Sequence, residues 1–271
     1  MIITSNEELK TIGEVAPDTL VHGDCLEVMK YIPDNSVDMV LADLPYGTTQ
    51  CTWDTVIPFE PLWEAYKRVI KPNGAIVLTA SQPFTSALVM SNVKWFKYCW
   101  VWQKSNTGGA FNAKGAPLKE HEDVIVFSPA GIAHQSNLKM KYFPQGMREI
   151  PPKLARNDLR FRANFGGNRP GLKATYIQTQ ENYPKSILPF RNDKGLHPTQ
   201  KPTKLFEYLI RTYTNPGELV LDNCMGSGTT PHACINTDRR FIGIEQDDKY
   251  FNGAVNRVRA REAELANSLF A

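Results

Sequence analysis

Asp43-Leu44-Pro45-Tyr46 puts a carboxylate, a proline-stiffened backbone and an aromatic ring into four consecutive residues. That set suits one task, the holding of a flat ring that bears an amino group. Asp43 and the Leu44 carbonyl can each accept a hydrogen bond from an exocyclic amine, Pro45 restricts the backbone beside them, and Tyr46 offers a face for stacking. By themselves the four residues also read as a strand end with a solvated acid and a core tyrosine. A second group lies far along the chain. Asp222-Asn223-Cys224-Met225-Gly226-Ser227-Gly228-Thr229-Thr230 reads as a strand end, a GxG turn and a helix start. The glycines let a ligand approach the backbone, and a helix amino terminus favours negative groups. Roughly twenty residues on, Glu245 ends the next strand, where an acid can hold both hydroxyls of a ribose. The pairing points to a nucleoside cofactor. Position 231 is Pro, so the full GxGxxG of a dinucleotide site is absent.

These residues need strands to carry them. Val37-Asp38-Met39-Val40-Leu41-Ala42 is an apolar run that brings Asp43 to the carboxyl end of a buried strand, the edge at which open α/β sheets bind ligands. Six further strands are expected to end near Asp24, Ala80, Trp102, Phe127, Asp222 and Glu245. Helical spacing predicts helices over Cys25 to Ile32, Glu60 to Ile70, Phe84 to Met90, Leu205 to Tyr213 and Lys249 to Leu265, with another after the glycine turn. Alternating strand and helix predicts a mostly parallel sheet covered on both faces.

From Gly131 to Leu196 the texture changes. Periodicity is poor, Pro and Gly are frequent, and arginines interleave with aromatics in Arg160-Phe161-Arg162-Ala163-Asn164-Phe165. The stretch is too long for an ordinary connection and reads as a functional insert. It holds twelve Lys/Arg and four Asp/Glu, a net +8, so the remainder of a chain of net +3 carries −5. A basic block on an otherwise acidic protein is the footprint of polyanion binding. The whole chain, 271 residues and 42% hydrophobic, has room for one large domain or two unequal ones. No apolar run is long enough to span a membrane, and the amino terminus lacks the pattern of a signal peptide. The five cysteines include no CxxC pair, which argues for a reducing cytoplasm, no disulfide framework and no metal site.

With these motifs in order, the chain resembles the S-adenosylmethionine-dependent amino-methyltransferases of DNA, in their permuted β group. Asp43-Leu44-Pro45-Tyr46 resembles their DPPY motif, with Leu44 where the family usually has Pro. Asp222 through Thr230 looks like their cofactor loop, His197-Pro198-Thr199-Gln200-Lys201-Pro202 matches their HPTQKP segment, and Gly23-Asp24-Cys25-Leu26 looks like their adenine-binding turn. His121-Glu122-Asp123-Val124-Ile125-Val126-Phe127 resembles a strand bordering the target pocket. The resemblance implies a circularly permuted, Rossmann-like sheet of seven strands, the last antiparallel, plus a small irregular insert. Residues 1–130 are then the catalytic half, 131–196 the target-recognition insert and 197–271 the cofactor half.

The same resemblance implies the roles. The catalytic group is Asp43, Leu44, Pro45 and Tyr46, acting on a base flipped out of duplex DNA. S-adenosylmethionine is expected against Asp24, Cys25, Asp43, Thr199, Lys201, Asp222, Gly226, Gly228, Thr229 and Glu245, with Asp24 at the adenine amine, Glu245 at the ribose, and Lys201 and Thr199 near the methionine end. DNA contacts are expected from Arg148, Lys153, Arg156, Arg160, Arg162, Arg169 and Lys173. Methyl transfer is direct, so no cysteine takes a chemical role. The expected product is N6-methyladenine, because cytosine-N4 enzymes more often carry Ser in place of Asp43. A silent DNA-binding homologue is the reading from another class, opposed by intact Asp43, Tyr46, Gly226 and Glu245. The cytoplasm of a bacterium or of a phage-infected host is the expected location. A homodimer and a cognate restriction enzyme are the further partners that the resemblance allows.

Overall fold

The structure, a computed structural model, describes residues 2–48, 54–133, 135–156, 175–193 and 200–268. Its main sheet follows the order β1-β2-β11-β10-β3-β4-β6-β5-β9. The strands are β1 (Ile2–Ser5), β2 (Thr19–His22), β3 (Val37–Ala42), β4 (Ile70–Ala80), β5 (Phe96–Gly108), β6 (Lys119–Phe127), β9 (Ile187–Pro189), β10 (Leu219–Asp222) and β11 (Arg240–Glu245). Every neighbouring pair is parallel except those of β6, which runs against β4 and β5. All seven expected strands are present, and the reversed one is the last of them before the insert. Among the described residues the sheet nevertheless has nine strands, not seven. The two additions, β1 and β9, are edge strands of four and three residues, too short to announce themselves by an apolar run.

The interior of the sheet is dry on both sides. All six positions of β3 are buried. Along it Val40 and Ala42 point into one apolar layer and Met39 and Leu41 into the other, the period of two that a strand imposes. The first layer is filled by α1 (Asn6–Ile12), α2 (Cys25–Met29), α3 (Phe59–Val69) and α4 (Phe84–Ser91). The second is filled by α5 (Thr203–Tyr213), α6 (Thr229–Asn236) and α7 (Asp248–Ser268). Helices from the two ends of the chain thus cover opposite faces of one sheet.

Asp38 interrupts the apolar run of β3 yet is buried. Lys71 and Lys141 reach its carboxylate at 2.7 and 2.8 Å, and the Leu219 N–H donates to it at 3.2 Å. Burial alone would raise its pKa; the two lysines and the N–H outweigh burial and hold it below the usual value. Lys141 also reaches Glu218 at 2.5 Å. One lysine of the basic window is therefore a structural counterion and not a surface charge.

Pro144–Lys185 form a second compact unit, narrower than the 131–196 stretch. Its described part is an antiparallel hairpin of β7 (Arg148–Arg156) and β8 (Thr175–Glu181). The register slips between Glu149 and Lys153, where Pro151-Pro152 cannot donate to a ladder. The two prolines and the polar content hide this hairpin from a search for alternating strands. No helix among the described residues is long and apolar enough to cross a membrane.

Candidate active site

Four neighbouring strands, β2, β11, β10 and β3, each deliver an acid to the same sheet edge. Glu245 and Asp222 are the last residues of β11 and β10, Asp43 follows β3 directly, and Asp24 lies two residues beyond β2. Parallel pairing aligns these ends, so positions far apart in sequence line one cavity of about 560 Å³. That volume is in the range of a small-molecule site.

At one end of the cavity the chain builds a cradle. Glu245 accepts the Gly226 N–H at 2.9 Å and the Asp247 N–H at 2.8 Å, which fixes its carboxylate under the glycine turn. Burial raises its pKa against the pull of those N–H groups. Asp24 caps α2, its Oδ1 accepting from Leu26 and Glu27 at 2.9 and 3.1 Å. Asp222 is buried, accepts the Cys224 N–H at 3.1 Å and the Thr230 hydroxyl at 2.5 Å, and is pushed up to about 7 by burial. Gly226 and Gly228 stand at φ +51° and +74°, a region costly for other residues. A Cβ on Gly228 would also sit 3.0 Å from that of Ala254. Arg257 of α7 bonds the Ser227 carbonyl, the Thr229 hydroxyl and the Thr203 hydroxyl at 3.2, 3.1 and 3.0 Å, tying the loop to α7 and α5. The thiols of Cys25 and Cys224 pair on the cavity wall, which holds Cys25 below the usual cysteine pKa and pushes Cys224 up. A fixed strand-end acid beside a glycine turn fits a nucleoside cofactor.

At the other end, Asp43 is surrounded by donors. Its Oδ1 accepts the Tyr46 hydroxyl at 2.8 Å and the Thr79 hydroxyl, and its Oδ2 accepts the Lys201 ammonium at 2.6 Å. Tyr46 also reaches Thr79 at 3.1 Å, stacks on Phe84 with 5.2 Å between centroids, and lies 5.5 Å from the Lys201 nitrogen. Burial and the charge of Asp43 keep its phenol well above the usual pKa. Asp54 accepts the Gly47 and Thr48 N–H groups at 2.8 and 2.9 Å and so fixes the loop that leaves Tyr46. Glu122 of β6 completes the wall, 3.3 Å from the Lys201 nitrogen.

A family model described as DNA methylase, of the N6/N4 methyltransferase type, matches residues 37–256, from the strand of Asp43 to α7. The chain belongs to the DNA methylase family. S-adenosylmethionine is the methyl donor of these DNA methylases. The type II methyltransferase M.HpaI of Haemophilus parainfluenzae is 25% identical over 252 residues, covering 88% of this chain and 73% of that one. The DNA adenine methyltransferase YhdJ of Escherichia coli K12 is 27% identical over 261 residues, covering 89% and 82%. Among solved structures, the M1.HpyAVI–SAM complex superposes with a TM-score of 0.58 at 26% identity, over 88% of this chain and 98% of the other.

Of the residues that a DNA methylase reading singles out, Asp24, Cys25, Asp43, Leu44, Pro45, Tyr46, Lys201, Asp222, Gly226, Thr229 and Glu245 all line the cavity. Gly228 sits behind the wall against Ala254. Thr199 lies outside the described residues, as do Arg160, Arg162, Arg169 and Lys173. Arg148, Lys153 and Arg156 are on the hairpin, where Arg148 pairs with Glu181 at 3.3 Å. Lys201, expected near the methionine end of the cofactor, has its ammonium on Asp43 instead. Sequence reasoning missed Thr79, Glu122, Asp54 and Arg257. Glu122 had a signal, because its strand was already placed at the target pocket. Thr79 had none: a hydroxyl inside the apolar run of β4 gains meaning only once β4 lies beside β3.

Proposed function

We propose that this DNA methylase transfers a methyl group from S-adenosylmethionine to the exocyclic N6 amine of an adenine flipped out of duplex DNA. Bound S-adenosylmethionine supplies an electrophilic methyl on a sulfonium sulfur. Glu245 and Asp24 are the groups for its ribose and adenine, and Asp222, Gly226, Gly228 and Thr229 those for its methionine end. Asp43 and the Leu44 carbonyl accept hydrogen bonds from the amine of the base. They draw its lone pair out of ring conjugation, and the ring of Tyr46 takes the base face. As the amine nitrogen turns cationic, the carboxylate of Asp43 stabilises it, and positioning supplies much of the rate.

The observation that carries this reading is the cluster at Asp43. Two hydroxyls and an ammonium converge on a carboxylate in the same cavity as the strand-end acid Glu245. Adenine is favoured over cytosine by Asp rather than Ser at position 43, and the relative YhdJ, a DNA adenine methyltransferase, supports it. The second reading is N4 methylation of cytosine, since the family embraces both chemistries. Lys153 and Arg156, with Arg148 and the arginines between the two hairpin strands, are the proposed DNA contacts. The type II relative supports a cognate restriction enzyme as partner. The test is to digest methylated duplex to nucleosides and separate them by mass. N6-methyladenine as the dominant product is expected; dominance of N4-methylcytosine overturns the choice of base.

A further inference from the structure

Asp43 is crowded before any base arrives. Its Oδ1 already accepts two hydroxyls, and the lone pairs of one carboxylate oxygen serve no more than that. Oδ2 holds the one lone pair left for an amine, and the amine must share that oxygen with the Lys201 ammonium at 2.6 Å. In the reaction the amine nitrogen gains positive charge, so an ammonium on the same oxygen works against the transition state more than against the ground state. Lys201 is buried, and it has a second carboxylate within reach. Glu122 Oε2 stands 3.3 Å from its nitrogen, hidden from solvent and without a hydrogen-bond partner. The other oxygen, Oε1, is held by Lys104 of β5, which fixes the carboxylate in place. The line Lys104, Glu122, Lys201, Asp43 alternates in sign, and Glu122 Oε2, ion-paired with Lys201 but without a hydrogen bond, faces the cation that would share an oxygen with the amine. Burial opposes the charge on Lys201, but Asp43 and Glu122 together outweigh burial and hold its pKa above the usual lysine value. The group therefore exchanges position as an ammonium and not by losing its proton.

We propose that Lys201 is a two-position counterion, hydrogen-bonded to Asp43 with Glu122 as its longer ion-pair partner while no base is bound, and drawn fully onto Glu122 when the target amine takes Asp43, so that Glu122 is a positioning residue for methyl transfer. No bond is made or broken in this exchange; one ammonium passes from one carboxylate to the other. The proposal rests on the assignment of Asp43 to the target amine.

The test is a double-mutant cycle read in single-turnover methyl transfer with saturating S-adenosylmethionine and duplex DNA. E122Q leaves Lys201 no charged alternative, so transfer slows by at least about tenfold. Dissociation constants for cofactor and DNA stay within about twofold, since neither ligand gains or loses a contact. K201M removes the competitor; it transfers faster than E122Q, and adding E122Q to it costs nothing further. E122D, which keeps the charge but draws it back, falls between E122Q and wild type and stands in for E122Q in the cycle if that variant does not fold. A wild-type rate in E122Q, an equal penalty in both backgrounds, or an inactive K201M overturns the exchange. D43N separates this inference from the reading beneath it. A fast D43N removes Asp43 from the amine; a dead D43N with a fast E122Q leaves Asp43 in place and removes the exchange alone.

Discussion

A single side chain here often has its meaning set by a neighbour from elsewhere in the chain. Asp43 reads as a solvated strand end until Thr79, Tyr46 and Lys201 are placed around it. It lies apart from the cradle of Glu245 and Asp24, so D43A is expected to bind S-adenosylmethionine normally and to lose methyl transfer. Calorimetric titration of the cofactor beside a tritium-transfer assay checks both halves, and a comparable rate in D43A removes the residue from its role. Asp222 makes a prediction of a different kind. Its folded pKa of about 7 stands above that of an unfolded aspartate, so the folded chain holds a proton that the unfolded chain releases. Its contribution to stability is thus full in acid, declines as pH rises from about 4 to about 7, and is flat above. D222N cannot titrate. Relative to wild type, it should gain roughly 2–3 kcal/mol of stability between pH 5 and pH 8. Denaturant unfolding of both proteins at the two pH values reads this directly; equal differences at both would mean that Asp222 is not the titrating group.

At the scale of elements, the glycine turn between β10 and α6 is the part with least freedom. Gly228 begins α6 from φ +74°, and the space beside it is taken by Ala254 of α7. G228A combines a left-handed conformation with a tight contact against a packed helix. A loss of about 1–3 kcal/mol is expected. Cofactor affinity should fall with it, because Gly226 and its hydrogen bond to Glu245 lie in the same turn. Unfolding midpoints and cofactor titration test the pair of effects; a stable G228A with normal affinity would show that the turn relaxes freely. The helices that surround the site need less argument. In α5, Leu205, Phe206, Leu209, Ile210 and Tyr213 form a buried face, the spacing that made this helix readable in advance.

For the molecule as a whole, the decisive feature is that both ends of the chain build one sheet. β10 lies between β11 and β3, so Asp222 and Glu245 become neighbours of Asp43 although they lie far from it in the chain. The charge of the hairpin acts at this scale as well. DNA affinity should fall with salt, with a log–log slope of roughly −5 if six phosphates are neutralised. Lys153 and Arg156 are exposed, and replacing both by alanine should lower the slope by roughly 2. Arg148 should matter less, since Glu181 already balances it. Binding titrations across a salt series decide this, and an unchanged slope would mean that the hairpin does not track the DNA backbone.

What the amino-acid sequence determined by itself was local and periodic. Apolar runs marked the seven inner strands, and 3.6-residue spacing marked the long helices, because burial on a regular element leaves a regular pattern. The contiguous motifs at positions 23–26, 43–46, 197–202 and 222–230 carried the family resemblance, and the apolar runs before Asp43, Asp222 and Glu245 placed those acids at strand ends. The short edge strands and the proline-bearing hairpin left no such pattern, since few of their residues are buried. Tertiary structure alone decided which acids share an edge, that Thr79 and Lys201 hold Asp43, and that Glu122 waits beside that pair. The reason is physical: a hydrogen bond between residues 43 and 201 exists only after β3, β6 and the segment before α5 have packed, and no spacing along the chain encodes that distance.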